Sequence, residues 1–400
     1  MQWVVIVALV WVVVAVLPQM VAAAWYQLPG AERWWQWGLM QTVVLASLWW
    51  LTGMGVEALR RWYWPAWCAR AGQMVVVVSV LPVAIWLLLL FNPLGWEMDL
   101  SPRILVNEIT LVYGVVAALW LVTAWRWTRR DVEAGGAVVM GWAGLLVGLV
   151  GLWLEVRQLY HGGQLYVGAH GVELWNSEAG LVVMVTLTVA AASLLLGQRW
   201  KTAWLTLWGE VWMWGGFMGA GVLLLLGANP LVSDTPVVGV RIWNELFASY
   251  FVTALVALGL AGMLLRRKIV AQGWLWPLAA LVLILPWAGV TLEVRHWFHP
   301  EHMMAKMGSV LQAEQYSYSL AWILLAAVWL VVGIVWNNTL ARWASLGLML
   351  IATGKVFIID LAHLKDLYRV LSLVGLGFAL LALAFFYQRF VFGKKGKEGG

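Results

Sequence analysis

Residues 136–161 read GAVVMGWAGLLVGLVGLWLEVRQLYH. Between Gly136 and Leu154 no residue carries a charge. A run of that length crosses a bilayer core, which takes about 20 apolar residues at about 1.5 Å each. Ionisable residues then arrive together, as Glu155, Arg157 and His161. This is the pattern of a helix passing from hydrocarbon into a polar boundary. Working outward, comparable runs lie at 3–21, 37–57, 73–91, 104–125 and 178–196. They continue at 203–226, 242–265, 274–293, 318–336, 340–359 and 368–391, which with 136–155 makes twelve.

Composition agrees. Hydrophobic residues make up 63% of the 400 and charged residues 11%, against about 25% charged in soluble domains. Mean hydropathy is +0.84. These values exclude a disordered chain and an ordinary soluble enzyme. No hydrophilic stretch is long enough for a nucleic-acid module, so the net charge of +6 implies no nucleic-acid partner. The expected fold is an all-α, polytopic transmembrane helical bundle of about twelve spans. Two N-terminal helices occupy 1–70 and two four-helix repeats occupy 71–202 and 203–338. A C-terminal helix pair fills 339–392, and 393–400 forms a disordered basic tail.

With the N-terminus in the cytoplasm, sixteen Lys and Arg residues fall on the inner side and eight on the outer, with Lys355 inside a span. Basic residues concentrate in cytoplasmic loops. The expected location is therefore the bacterial inner membrane, multi-pass, with both termini cytoplasmic. A rival reading makes Val5–Leu17, followed by Ala22-Ala23-Ala24, a cleaved signal peptide; the lack of Lys or Arg before it argues against that. The single cysteine, Cys68, excludes an intrachain disulfide. Tryptophan is abundant at 33 residues. Interfacial belts account for some, but Trp11, Trp120 and Trp329 sit deep in apolar runs.

The chain also repeats itself at an offset near 137. Leu87–Leu94 (LLLLFNPL) answers Leu223–Leu226 followed by Asn229-Pro230-Leu231. Asn107-Glu108 with Tyr113 answers Asn244-Glu245 with Tyr250. Leu154–His161 (LEVRQLYH) answers Leu292–His299 (LEVRHWFH). Each unit holds four spans, and an even number returns the chain to the same side. The copies are thus expected to be parallel rather than inverted, with the eleventh and twelfth spans resembling the start of a further unit.

Four segments carry a resemblance: Glu293–His299 (EVRHWFH), Glu314–Ser319 (EQYSYS), Gly354–Leu361 (GKVFIIDL) and Leu367–Ser372 (LYRVLS). Together they resemble the C-terminal signature of a bacterial family of predicted membrane proteins, domain of unknown function 2339. The resemblance is strong from about Asn229 to Phe390 and, through the repeat, weaker from Leu81 to Trp200. In the first copy Asn176-Ser177 stands where a Tyr-Ser pair is expected. Family members are often longer, with a cytoplasmic N-terminal segment and more helices. The resemblance implies a polytopic inner-membrane protein and no particular reaction.

Titratable residues gather at the expected outer side. Arg157 with His161, and Arg295 with His299, are i,i+4 pairs on one helical face. A guanidinium beside an imidazole suits a phosphate or carboxylate; the plainer reading is an Arg paired with a neighbouring carboxylate. Glu108 and Glu245, each after an Asn (Asn107, Asn244), are the expected partners of Arg157 and Arg295, with Glu293 as another holder of Arg295. Glu155, Asp360 and Arg369 complete the outward cluster. Lys355 is expected one turn below the outer helix end, as a snorkelling, paired or tuned group. Glu210 lies inside a span, as a proton-coupling carboxylate or one facing a polar partner. His296, His299 and His302 match no zinc pattern, and no metal site is expected. Nothing resembles a nucleotide loop, a nucleophile elbow or a zinc-protease helix, so no cofactor is expected.

Three readings remain open. One is an outward-facing polar site acting on a lipid-linked or envelope glycan substrate, with membrane lipids, and an anionic lipid among them, as partners. The second is a secondary transporter. The third is a scaffold whose ion pairs only hold helices together.

Overall fold

The computed structural model describes residues 34–58, 66–95, 100–101, 103–130, 134–166, 175–232, 237–268, 276–301, 303–304 and 310–360, with 374–375, 377–378, 380–381, 384–385 and 388. Among them the chain is all-helical, with one isolated bridge, Gly239 to Asn244, and no strands. The helices are α1 (Trp34–Ala58), α2 (Ala66–Ile85), α3 (Val115–Arg130), α4 (Ala134–His161) and α5 (Asn176–Trp200). They continue with α6 (Ala203–Gly219), α7 (Thr253–Arg266), α8 (Trp276–Phe298), α9 (Gln312–Val335) and α10 (Thr339–Lys355). Five ends are wound as π-helix: Trp86–Leu90 after α2, Thr110–Gly114 before α3, Ala220–Gly227 after α6, Phe247–Val252 before α7 and Val356–Asp360 after α10.

All ten helices, taken with these π-turns, are long and apolar enough to cross a membrane, at 20 to 27 residues each. They answer the second to eleventh expected spans. The first lies outside the described residues, as does most of the twelfth. On α9 the residues Leu320, Leu324, Val328, Val331 and Val335 are all more than half exposed. Their spacing of three and four places them on one stripe. Such a face is stable when hydrocarbon, not water, covers it.

Contacts divide the chain into two compact units: Met1–Met218 with Gly262–Trp274, and Gly219–Ala261 with Leu275–Gly400. In the first, α3 packs on α4, α1 on α2 and α4 on α5, around a core that includes Trp49, Ile109, Tyr113, Trp120 and Trp127. Gly151 of α4 lets the 110–114 π-turn approach closely, since a Cβ there would stand 2.8 Å from Tyr113 Cβ. In the second unit α8 packs on the 247–252 π-turn and on α9, and α9 on α10. There Gly289 of α8 plays the same part, 2.9 Å from Tyr250 Cβ. Each of these tyrosines also ties two π-turns together. Tyr113 donates its hydroxyl to Leu87 O at 2.7 Å, and Tyr250 to Leu224 O at 2.6 Å.

The helix ends differ from the apolar runs in two ways. The fourth and eighth spans were expected from Ile104 and Ile242. Instead, 104–107 is a bend with Leu105 at φ +62°, and 238–245 is a tight reversal around Gly239 at φ +127°. Conversely α4 and α8 run past Glu155 and Glu293 to His161 and Phe298. The polar residues of those last turns bond to neighbouring elements, so the helix gains by continuing.

Candidate functional site

In the second unit the last turns of α8 meet the first turn of α9. Arg295 and His299 share one face and both reach Glu314, the third residue of α9. Arg295 Nη1 donates to Glu314 Oε1 at 2.9 Å, and His299 Nε2 lies 3.0 Å from Glu314 Oε2. Tyr318, one turn on, donates its hydroxyl to Oε1 at 2.7 Å. The other donors of Arg295 hold the α8–α9 loop: Nε to Met303 O at 3.2 Å and Nη2 to Met304 O at 3.4 Å. Both ions are buried, the side chains of Arg295 and Glu314 at 4% and 0% exposure. A buried pair survives when charge and hydrogen-bonding capacity are both met. Here the helix dipoles assist, with the cation at the end of α8 and the anion at the start of α9.

The first unit has the same clamp. Arg157 donates through Nη1 to Glu178 Oε1 at 3.0 Å and through Nε to Leu165 O at 3.1 Å, while His161 Nε2 lies 2.9 Å from Glu178 Oε2. Val182 stands one turn after Glu178, where Tyr318 follows Glu314.

These clamps correct the expected partners. Arg157 does not pair with Glu108, nor Arg295 with Glu245 or Glu293. Glu108 accepts from Ser101 N–H at 3.0 Å. The backbone of Glu245 closes the 238–245 reversal by donating to Val238 O at 3.1 Å. The physical reason is the short return from one helix to the next, which lays the first turn of the following helix beside the Arg-His face. The Arg295 fork is also occupied from within, by Glu314 and two carbonyls, so it does not stand open for a bidentate anion. Sequence reasoning missed Glu178 and Glu314 as partners, although a lone acidic residue in the first turn of an apolar helix was the available signal. The alignment of Asn176-Ser177 changes too. Helices α5 and α9 both begin two residues before their Glu, so Asn176-Ser177 answers Gln312-Ala313. The first loop is two residues longer, with His161 and Glu178 seventeen apart against fifteen for His299 and Glu314.

The other expected residues form satellites of the two clamps. Asn107 Nδ2 donates to Gln158 Oε1 at 2.9 Å, and its Oδ1 accepts from Thr110 N–H at 2.8 Å. Glu155 accepts from the Thr110 hydroxyl at 2.5 Å and from Leu105 N–H at 3.1 Å. In the second unit Asn244 Nδ2 donates to Glu293 Oε2 at 3.1 Å and lies 3.4 Å from His296 Nδ1. Lys355, at the end of α10, donates from Nζ to Gln315 O at 2.8 Å and to Ser319 Oγ at 2.7 Å. It therefore lies against α9 beside the clamp. Asp360 ends the π-turn after α10. Arg369 and His302 lie outside the described residues. The first unit also holds a cleft of about 450 Å³, lined by Met40, Ser101, Leu105, Asn107, Glu108 and Thr110 among others.

The model of one family, described as predicted membrane protein (DUF2339), matches residues 166–390, more than half of the chain. The matched stretch contains Glu178, all of the second unit's clamp and Lys355. No curated protein and no solved structure matches the chain.

Proposed function

The chain belongs to the family of predicted membrane proteins defined by domain of unknown function 2339, and from that premise we propose a fuller reading. It is a twelve-span protein of the bacterial inner membrane, with both termini in the cytoplasm. Its core is two parallel copies of one four-helix unit, a reading supported by the recurrence of the tyrosine ties, the close-approach glycines and the clamps. The clamps face outward, an orientation supported by the bias of Lys and Arg. The second clamp anchors a recognition site for the polar head group of a lipid-linked or envelope glycan.

The observation that carries this reading is Lys355. The second unit brings an ammonium to the edge of its clamp, where the first unit has none among the described residues. Arg295 is a positioning residue here, because its donors are used internally. The anionic part of a ligand falls to Lys355 and to His299, whose side chain is 21% exposed. A second reading, the scaffold, is favoured by the internal saturation of Arg295.

Native mass spectrometry of the detergent-solubilised protein tests the two. The probes are phosphatidylglycerol and a polyprenyl-diphosphate-linked saccharide. Lys355→Met should stay folded and weaken binding of the saccharide probe by about tenfold, the worth of a charge-assisted hydrogen bond at the lower end of its range. Unchanged binding of both probes leaves the scaffold. The orientation is tested separately, with single cysteines in a Cys68→Ala background. One at Gly163 or Pro300 should label only from outside and one at Lys268 only from inside.

A further inference from the structure

The two units treat one helix-end carboxylate differently. In the first, Glu155 has a donor on each oxygen: the Thr110 hydroxyl on Oε1 and Leu105 N–H on Oε2. In the second, Glu293 Oε2 accepts from Asn244, while Oε1 is buried and has no donor among the described residues. The cause is legible. Thr110 and Phe247 each follow an Asn by three residues and each donate N–H to that Asn's Oδ1. Phe247 therefore stands where Thr110 stands, and it has no hydroxyl to give.

The surroundings supply no substitute. Asn244 Nδ2 donates to Arg241 O and Glu293 Oε2, and its Oδ1 accepts from Phe247 N–H, so its amide orientation is fixed by its partners. The amide nitrogen also lies 3.4 Å from His296 Nδ1, but its two hydrogens already go to Arg241 O and Glu293 Oε2, so this contact brings no donor to Glu293 Oε1. Other charged or titratable side chains on the elements packed against α8 are Arg241, Glu245 and Tyr250 on one side and Glu314, Tyr316 and Tyr318 on the other, with the Arg241 guanidinium over the Trp297 ring, 4.6 Å from its centroid. Tyr250 donates to Leu224 O and Tyr318 to Glu314. Arg295, on the same helix, is spent on Glu314 and the loop.

An ionised carboxylate can only accept hydrogen bonds. Burying one of its oxygens without a donor is unfavourable. A proton removes the charge and turns the group into an acid. We infer that Glu293 is a proton-binding site, holding a proton on Oε1 while Oε2 accepts from Asn244. Loss of that proton would leave a charged oxygen with no donor until the Asn244 segment or water moved to supply one, so proton binding is tied to the position of that segment. This inference does not depend on the head-group reading.

Infrared spectroscopy of the full chain in lipid tests it directly, through the carbonyl stretch of a protonated carboxyl group at neutral pH. Wild type should show such a band, Glu155→Gln should keep it, and Glu293→Gln should lose it. Phe247→Thr, which returns the first unit's hydroxyl to this position, should lose most of it while leaving Glu293 in place. It serves as the readout if Glu293→Gln does not fold. An acid band that Glu293→Gln leaves unchanged overturns the inference, and so does an unchanged band in folded Phe247→Thr.

Discussion

The two units solve the same packing problem with partly different residues. Trp153 of α4 donates its indole N–H to the Thr186 hydroxyl of α5 at 3.0 Å. In the second unit Trp322 of α9 donates to Thr291 of α8, also at 3.0 Å. The bond is the same and its donor has crossed to the other helix. At the foot of the same helix pairs, Gly197 and Gly333 precede turns with Lys201 and Asn337 at φ +53° and +49°. Thr202 N then donates to Gly197 O at 2.8 Å and Asn338 N to Gly333 O at 2.9 Å. What persists between the units is what fixes backbone against backbone. What differs are groups that packing alone does not require: Lys355, Tyr318 and the missing donor at Glu293.

The clamps give the largest expected effect. Arg295→Ala leaves Glu314 charged and buried, and should destabilise the protein by about 3–5 kcal/mol, read by denaturant unfolding in detergent. Arg295→Ala combined with Glu314→Gln should recover much of that. Arg157→Ala should fall at the lower end of the range, because the Arg157 side chain is 10% exposed against 4% for Arg295. A larger loss at Arg157 than at Arg295 would break the ordering. Next come the close-approach glycines. Gly151→Ala and Gly289→Ala should each cost about 1–3 kcal/mol, as overpacking does, and nearly the same as each other. A neutral result at either would show that the helix pair relaxes there. Tyr318→Phe should cost about 1–2 kcal/mol by removing one hydrogen bond to a charged group. Val182→Thr, in the first unit, has no such bond to lose and should leave that clamp within about 0.5 kcal/mol of its starting stability.

Much of this was legible in sequence. Apolar runs gave the ten described spans to within seven residues at either end, because hydrocarbon thickness sets their length. The Arg-His faces were legible because i,i+4 spacing is local. The partners were not. Whether Arg295 meets Glu245, Glu293 or Glu314 depends on the path of the α8–α9 loop, and its two-residue difference from the first loop hid the equivalence of Glu178 and Glu314. The start of the fourth span differs because Ile104, Leu105 and Val106 are apolar yet form an exposed bend. That bend positions Leu105 N–H for Glu155, a tertiary demand that hydropathy does not register. The π-turns left no mark in composition at all.

The smallest expected effect is the sharpest test of equivalence. Trp153→Phe and Trp322→Phe each keep an aromatic ring and delete one interhelical hydrogen bond. Within a membrane such a bond is worth about 0.6 kcal/mol on average, so each variant should lose roughly that amount. The two Trp residues sit on opposite members of their helix pairs, and their ring neighbours differ: Trp153 packs edge-on to Trp212 at 5.7 Å, and Trp322 lies 5.6 Å from Trp287. If the bond itself is what the units share, the losses match despite those different rings. Unequal losses would mean that ring packing dominates and that the hydrogen bond is incidental. The double exchange Trp153→Thr with Thr186→Trp then decides the matter, since it rebuilds in the first unit the arrangement of the second. Its stability should exceed that of Trp153→Thr alone if the site accepts either direction of donation.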